Sequence, residues 1–209
     1  MEGYKPRKIG NRDTRKFVVI VCEGKKTEIQ YFNGFNERYS GVKVLPLHGK
    51  CTDAKNIIYF AEEQITKYNL NFDDGDQIWC AFDVDDKPKK EIEDAINHVQ
   101  SKNINIALSN PCIELWFLLH FKQISSPRTR KEVEQELKNF IKDYEKDKNV
   151  FPILKEKIPI AIKAAKILNQ NHQKSGKPIL SVENNPSSQV FTMIENIHAL
   201  IEKNKKYVK

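Results

Sequence analysis

Apolar residues follow two alternating rhythms along the chain. Short, mainly apolar runs at residues 17–22 (FVVIVC), 42–47 (VKVLPL), 78–82 (IWCAF) and 104–108 (INIAL) suit strands covered on both faces, because such strands have no polar face to show. Between these runs the apolar positions recur at helical spacing. Ile57, Ile58, Ala61, Ile65 and Tyr68 make one such stripe, with Asp53 placed to cap it, and Ile92, Ala95, Ile96 and Val99 make another behind Pro88. Thr27, with Gln30 three residues on, predicts a capping box that opens a helix running to about Tyr39. Asn110 and Pro111 predict the N-cap and first turn of a helix over residues 112–121. The alternation of strand and helix calls for an α/β fold, a parallel sheet with helices on its faces.

Beyond residue 122 the rhythm changes. A polar connector with Pro127 leads to Val133, Leu137, Phe140, Ile141 and Tyr144, one face of a highly charged amphipathic helix. Residues 158–172 read as another helix through Ala161, Ala165 and Leu168, and Val190, Met193, Ile194, Ile197 and Ile201 mark the last. The stretch between them is rich in turn residues and ends in Asn184, Asn185, Pro186 and Ser187. The expected division is a basic tail at 1–16, an α/β core at 17–122, and a helical extension at 123–209 packed on or beside that core.

Composition changes this picture little. The chain has 209 residues, 39% hydrophobic and 30% charged, which is enough to bury a core and speaks against disorder. Its net charge of +7 admits a polyanion as partner. Lys5, Arg7, Lys8, Arg12, Arg15 and Lys16 outnumber Glu2 and Asp13 in the tail, which reads as a solvated arm or as a phosphate-contacting one. Cys22, Cys51, Cys80 and Cys112 form no C-x-x-C pair, and three of them adjoin apolar runs, so reduced thiols in a cytoplasmic protein are expected and a zinc site is not. The most apolar segment, 113–121, is too short for a membrane span and contains Glu114 and His120.

The candidate chemistry lies where apolar strands run into charge. The run at 78–82 delivers Asp83, Asp85 and Asp86, and the run at 17–22 delivers Glu23 and Gly24 into a turn. In an open α/β sheet such ends face the ligand crevice. If the two strands are neighbours, Glu23, Asp83 and Asp85 converge, and carboxylate oxygens suit Mg²⁺ or Mn²⁺. In an extended segment Asp83 and Asp85 point to one side and Asp86 to the other, so Asp86 is the weaker of the three. Lys25 and Lys26 stand near a helix start, as solvated charge or as phosphate contacts. Glu114 is a further acidic candidate, or a residue that favours its helix dipole. His120 and Trp116 read as core. Asp73, Asp74, Gly75 and Asp76 read as a turn at the opposite end of the strand. Ser187 reads as a helix cap, with phosphate contact as the alternative.

A hydrophobic strand followed by Glu-Gly, with a later strand followed by D-x-D, resembles the TOPRIM fold of topoisomerases, primases and OLD-type nucleases. The segments VCEGKKTEIQYF, AFDVDD, SNPCIELWFLLHF and NPSS resemble the RloB-like family of bacterial defence-associated proteins over most of the chain. The resemblance implies a TOPRIM-like Rossmannoid parallel sheet flanked by helices with a C-terminal helical extension. It also implies a Mg²⁺-dependent (or Mn²⁺-dependent) nuclease acting on DNA or RNA in antiviral defence, often encoded beside an ATPase partner. Under it Glu23 is the catalytic acid or base and a metal ligand, and Asp83 and Asp85 hold the ion. A second reading is a metal and nucleic-acid binding subunit that does not cut. A third, an HAD-type phosphatase with Asp83 as nucleophile, is weakened by Lys87, which stands where that family has a small hydroxyl residue. Self-association is open.

Overall fold

The computed structural model describes residues 15–38, 40–49, 53–85, 87–145 and 147–205. Asp86, Cys51 and the tail cations Lys5, Arg7, Lys8 and Arg12 lie outside the described residues. Strands β1 (Lys16–Cys22), β2 (Val42–His48), β3 (Gln77–Asp83) and β4 (Asn105–Asn110) pair in parallel in the order β2-β1-β3-β4. A short β5 (Ser187–Ser188) adds to β4 in antiparallel sense. The fold is therefore Rossmann-like, as the strand and helix alternation predicts.

Side-chain alternation along β1 shows how the sheet is covered. Phe17, Val19 and Val21 pack against α2 (Ala54–Tyr68) and α3 (Lys89–Val99) through Ile57, Ile58, Ile92 and Ala95. Val18, Ile20 and Cys22 face the other way, into a core shared with α1 (Thr27–Asn33), α4 (Ile113–Leu118), α5 (Arg130–Lys138), α6 (Phe151–Leu154), α7 (Ile158–Lys174) and α8 (Val190–Lys205). Helices of the C-terminal stretch thus complete the cover of one sheet face. Cys22, Cys80 and Cys112 are buried free thiols. Among the described residues no helix is long and apolar enough to cross a membrane.

Several local expectations need correction. Helix α1 ends at Asn33 rather than near Tyr39, and its N-cap is Lys26 with no side-chain capping bond, so the Thr27–Gln30 box does not form. The early end has a physical cause: the Asn36 amide donates to Val44 O at 2.9 Å and accepts from Val44 N at 3.0 Å, which makes it part of the β2 edge. Gly34 follows because the Phe151 ring lies where a side chain would be, 2.1 Å from an ideal Cβ. Asn110 belongs to β4 and sends its side chain to Val182 O at 2.8 Å, leaving Cys112 as the N-cap of α4. The NPSS segment forms a strand before it reaches α8. Asp53 caps α2 as expected, accepting from Asn56 N. Asp76 takes the N–H groups of Phe17 at 2.8 Å and Asn71 at 2.9 Å, a structural role at the amino end of the sheet.

The larger core centres on Tyr31 and Trp116, both fully buried. Trp116 Nε1 donates to the Tyr31 hydroxyl at 2.8 Å, and Phe32, Phe35, Phe117 and Phe151 surround the Tyr31 ring with centroids 5.1–5.8 Å from it. Tyr31→Phe keeps the ring but strands the indole N–H in an apolar core, at a cost of about 1–3 kcal/mol. Urea denaturation should show a lower midpoint with an unchanged m-value.

Candidate functional site

The strand order reverses between β1 and β3. From β1 the chain crosses to β2 on one side and then returns past β1 to β3, so the crevice beyond the carboxyl ends of β1 and β3 is the topological switch point of the sheet. Glu23 continues the ladder, with its N–H bonded to Ala81 O at 3.1 Å. Its Oε2 accepts from Asp83 N at 3.2 Å. The two acids named from the strand ends are thus joined directly. They border a cleft of about 270 Å³ lined by Glu23, Gly24, Lys25, Glu28, His48, Asp83, Glu114 and Arg130, together with Thr27 and Ile113.

Glu28 places a further carboxylate in this cleft from the first turn of α1. It is buried, and its pKa is pushed up to about 8 by that burial and then by Glu23 and Glu114, against hydrogen bonds from the N–H groups of Gly24 and of Glu28 itself. The carboxylate lies so close over the turn that a Cβ on Gly24 would fall 1.7 Å from Glu28 Oε2. A side chain here would displace the Glu28 carboxylate, so glycine serves close approach at this position rather than backbone conformation. Asp83 is also driven well above the usual carboxylate range, by burial first and then by Glu28 and Glu114; Arg130 opposes the shift and Glu23 adds to it.

Two cations hold the acids in place. Lys87 Nζ meets Glu23 Oε2 at 2.7 Å and donates to Asp83 O at 3.1 Å. Arg130, the first residue of α5, reaches Asp83 Oδ2 through Nη2 at 3.1 Å and bonds Asp85 Oδ2 through Nε. The Glu114 carboxylate is buried, with one oxygen bonded by the Tyr144 hydroxyl at 3.0 Å. Its Oε2 has no hydrogen bond among the described residues, and Arg130 Nη1 stands 3.9 Å from it.

The structure brings together Glu23, Asp83 and Glu114, with Lys25 at the same cleft. Asp85 lies outside the cleft lining, and its carboxylate turns to Arg130. Lys26 sits at the surface, 3.5 Å from Asp147. Ser187 is fully buried in β5 opposite Asn110 and does not line the cleft. His120 is a core residue bonded to Trp116 O at 2.9 Å, and burial lowers its pKa to about 4. Sequence reasoning missed Glu28, His48, Lys87 as a partner of Glu23, Arg130 and Tyr144. His48 had the same signal as Glu23, a polar residue after an apolar strand next to β1, and its buried Nδ1 has no hydrogen bond among the described residues.

The donors suit a hard divalent cation, since Glu23, Glu28, Asp83 and Glu114 all present oxygen and one buried oxygen of Glu114 lacks a hydrogen bond among the described residues. As arranged, however, no three His, Cys, Asp or Glu side chains among the described residues are grouped to hold an ion. Arg130 takes the place between Asp83 and Asp85. A family model described as "RloB-like protein" matches residues 18–197. No curated protein and no solved structure matches the chain.

Proposed function

The chain belongs to the RloB-like family, whose model covers residues 18–197, and on that footing we propose that it is a Mg²⁺-dependent nuclease of the TOPRIM type. It would cleave nucleic-acid phosphodiesters in bacterial antiviral defence, in the cytoplasm, with an ATPase partner encoded alongside. The observation that carries the catalytic part of this reading is the bond from Asp83 N–H to the Glu23 carboxylate across β1 and β3, which sets two acids on one cleft at the switch point.

In this reading Asp83 and Glu23, with Asp85 once Arg130 releases it, would hold Mg²⁺ or Mn²⁺. The ion would supply stabilisation of negative charge growing on the phosphate and a lowered pKa for a water. Glu23 is fixed through Oε2 by Asp83 N–H and Lys87, so proton handling falls to its other oxygen. Lys25, exposed at the cleft mouth, is suited to contact a phosphate of the substrate. Arg130 favours a second reading, because it ties up Asp83 and Asp85. There the same site binds metal and nucleic acid without cutting.

A single cleavage panel separates the two. The full chain is incubated with DNA, tRNA and other RNA in Mg²⁺ or Mn²⁺, beside Glu23→Gln and Asp83→Asn. The nuclease reading expects metal-dependent products from the wild type that both variants lack. Binding without products under either ion, surviving in Asp83→Asn, would replace it with the binding reading.

A further inference from the structure

Arg130 is placed against its local electrostatics. It is the first residue of α5, where the helix dipole disfavours a cation. Its side chain is only 29% exposed. What compensates is a set of carboxylates: Asp83 at 3.1 Å, Asp85 through Nε, and Glu114 and Glu134 each at 3.9 Å from Nη1. The two closest acids are met by different nitrogens of one guanidinium, a bridging geometry that a lysine ammonium cannot reproduce.

The placement is built from both sides. Thr129 starts α5 with a full capping box, donating its N–H to Glu132 at 2.7 Å and accepting from Glu132 N at 3.3 Å. One residue earlier, the Asn185 amide clamps the Arg128 backbone, accepting from its N–H at 2.9 Å and donating to its carbonyl at 2.8 Å. Asn185 is the first residue of the NPSS segment, whose role the sequence left open. It anchors the residue two positions before Arg130.

We propose that Arg130 is the resident counter-cation of the acidic cleft, and that its guanidinium and a divalent cation occupy Asp83 in alternation, with Asn185 as the positioning residue for Arg130. The proposal rests on the metal-dependent reading of the site and states how that site is regulated. Glu23, Glu28, Asp83 and Glu114 line the cleft and Asp85 adjoins it, against Lys25, Lys87 and Arg130, so in the metal-free cleft the guanidinium offsets part of the acidic excess. An incoming cation must detach Nη2 from Asp83 Oδ2. Because coupling between two ligands of one site is reciprocal, removing the guanidinium strengthens cation binding by the factor with which the cation weakens the guanidinium contact.

The test measures Mn²⁺ binding directly, from the free-ion signal in electron paramagnetic resonance. It uses the full chain as wild type, Arg130→Ala, Arg130→Gln, Arg130→Lys and Asn185→Ala. Arg130→Ala and Arg130→Gln are expected to bind Mn²⁺ about tenfold more tightly than wild type, with Arg130→Lys and Asn185→Ala between. In EDTA the Arg130→Ala and Arg130→Gln proteins should melt below wild type, and saturating Mn²⁺ should raise their melting temperatures by more. Should Arg130→Ala fail to fold, the glutamine and lysine variants decide the matter. Equal or weaker Mn²⁺ binding in the neutral variants overturns the proposal and leaves the metal site standing. No Mn²⁺ binding by any form overturns the metal-dependent reading, and this proposal with it.

Discussion

Asp83→Asn is expected to lower Mg²⁺-dependent cleavage by roughly 10³-fold or more, because a ligand to the ion is worth several kcal/mol of transition-state stabilisation. The same change should leave the metal-free protein at least as stable as wild type. Asp83 is buried, and its charged form is opposed by burial, by Glu28, by Glu114 and by Glu23, with Arg130 as the cation that favours it. An amide of the same shape removes that repulsion and keeps the backbone N–H that fixes Glu23. Loss of cleavage with no loss of melting temperature in EDTA would therefore separate a functional role from a structural one. Glu23→Gln differs in an informative way. It should lose cleavage as well, but it also gives up the charged partner of Lys87, whose side chain is only 11% exposed, and should melt lower than Asp83→Asn. Metal-dependent cleavage by Asp83→Asn at wild-type rates would end the proposed mechanism.

What the sequence made legible was whatever could be seen within one element. The runs at β1 and β3 were visible because strands covered on both faces must be apolar throughout, and Glu23 and Asp83 were visible because charge directly after such a run has to sit at an edge. Their meeting depended on β1 lying beside β3, a property of the crossovers that no local pattern records. Arg130 was invisible for a related reason: it lies 47 residues from Asp83, at the end of a stretch that reads as a polar connector. Tyr144 was assigned to the apolar stripe of a helix; α5 ends before it, at Lys138, yet Tyr144 is buried and its hydroxyl serves Glu114. Glu28 was closest to being found. Its clue was Gly24, which reads as a turn after the strand and also leaves the space that the Glu28 carboxylate occupies.

The local failures share a cause with the distant ones. Asn110 with Pro111 is a sound capping signal, yet a tertiary partner decided that position instead. Asn36 joined the edge of β2 and ended α1 early, and Asn110 stayed in β4 to hold Val182. In the NPSS segment the sheet claimed the serines, and Asn185 was used to set the start of α5. Polar side chains with two-sided hydrogen-bonding capacity are the residues that a fold can most readily redirect.

Stability is expected to fall as pH rises from 6.5 to 8 in EDTA, by up to about 1.4 kcal/mol per pH unit for each titrating site. Glu28 carries the effect. Its ordinary pKa of 4.5 is raised to about 8 in the folded chain by burial and by the neighbouring Glu23 and Glu114, so between these values the folded state holds a proton that the unfolded state has released. A state that binds more protons is favoured by acid, and this contribution is lost as pH climbs toward 8. Asp83, raised in the same way and facing the same acids, acts with the same sign. His120 acts in the opposite direction: its pKa falls from 6.5 to about 4 on burial, so it raises stability with pH within that lower range and contributes little above it. The window above 6.5 is therefore the informative one. Urea midpoints at successive pH values should decline across it for wild type, and Glu28→Gln should flatten the decline. A decline that persists in Glu28→Gln but disappears in Asp83→Asn would move the titrating proton to Asp83. A wild-type profile that is flat or rising between pH 6.5 and 8 would mean that the cleft carries its negative charge without a bound proton.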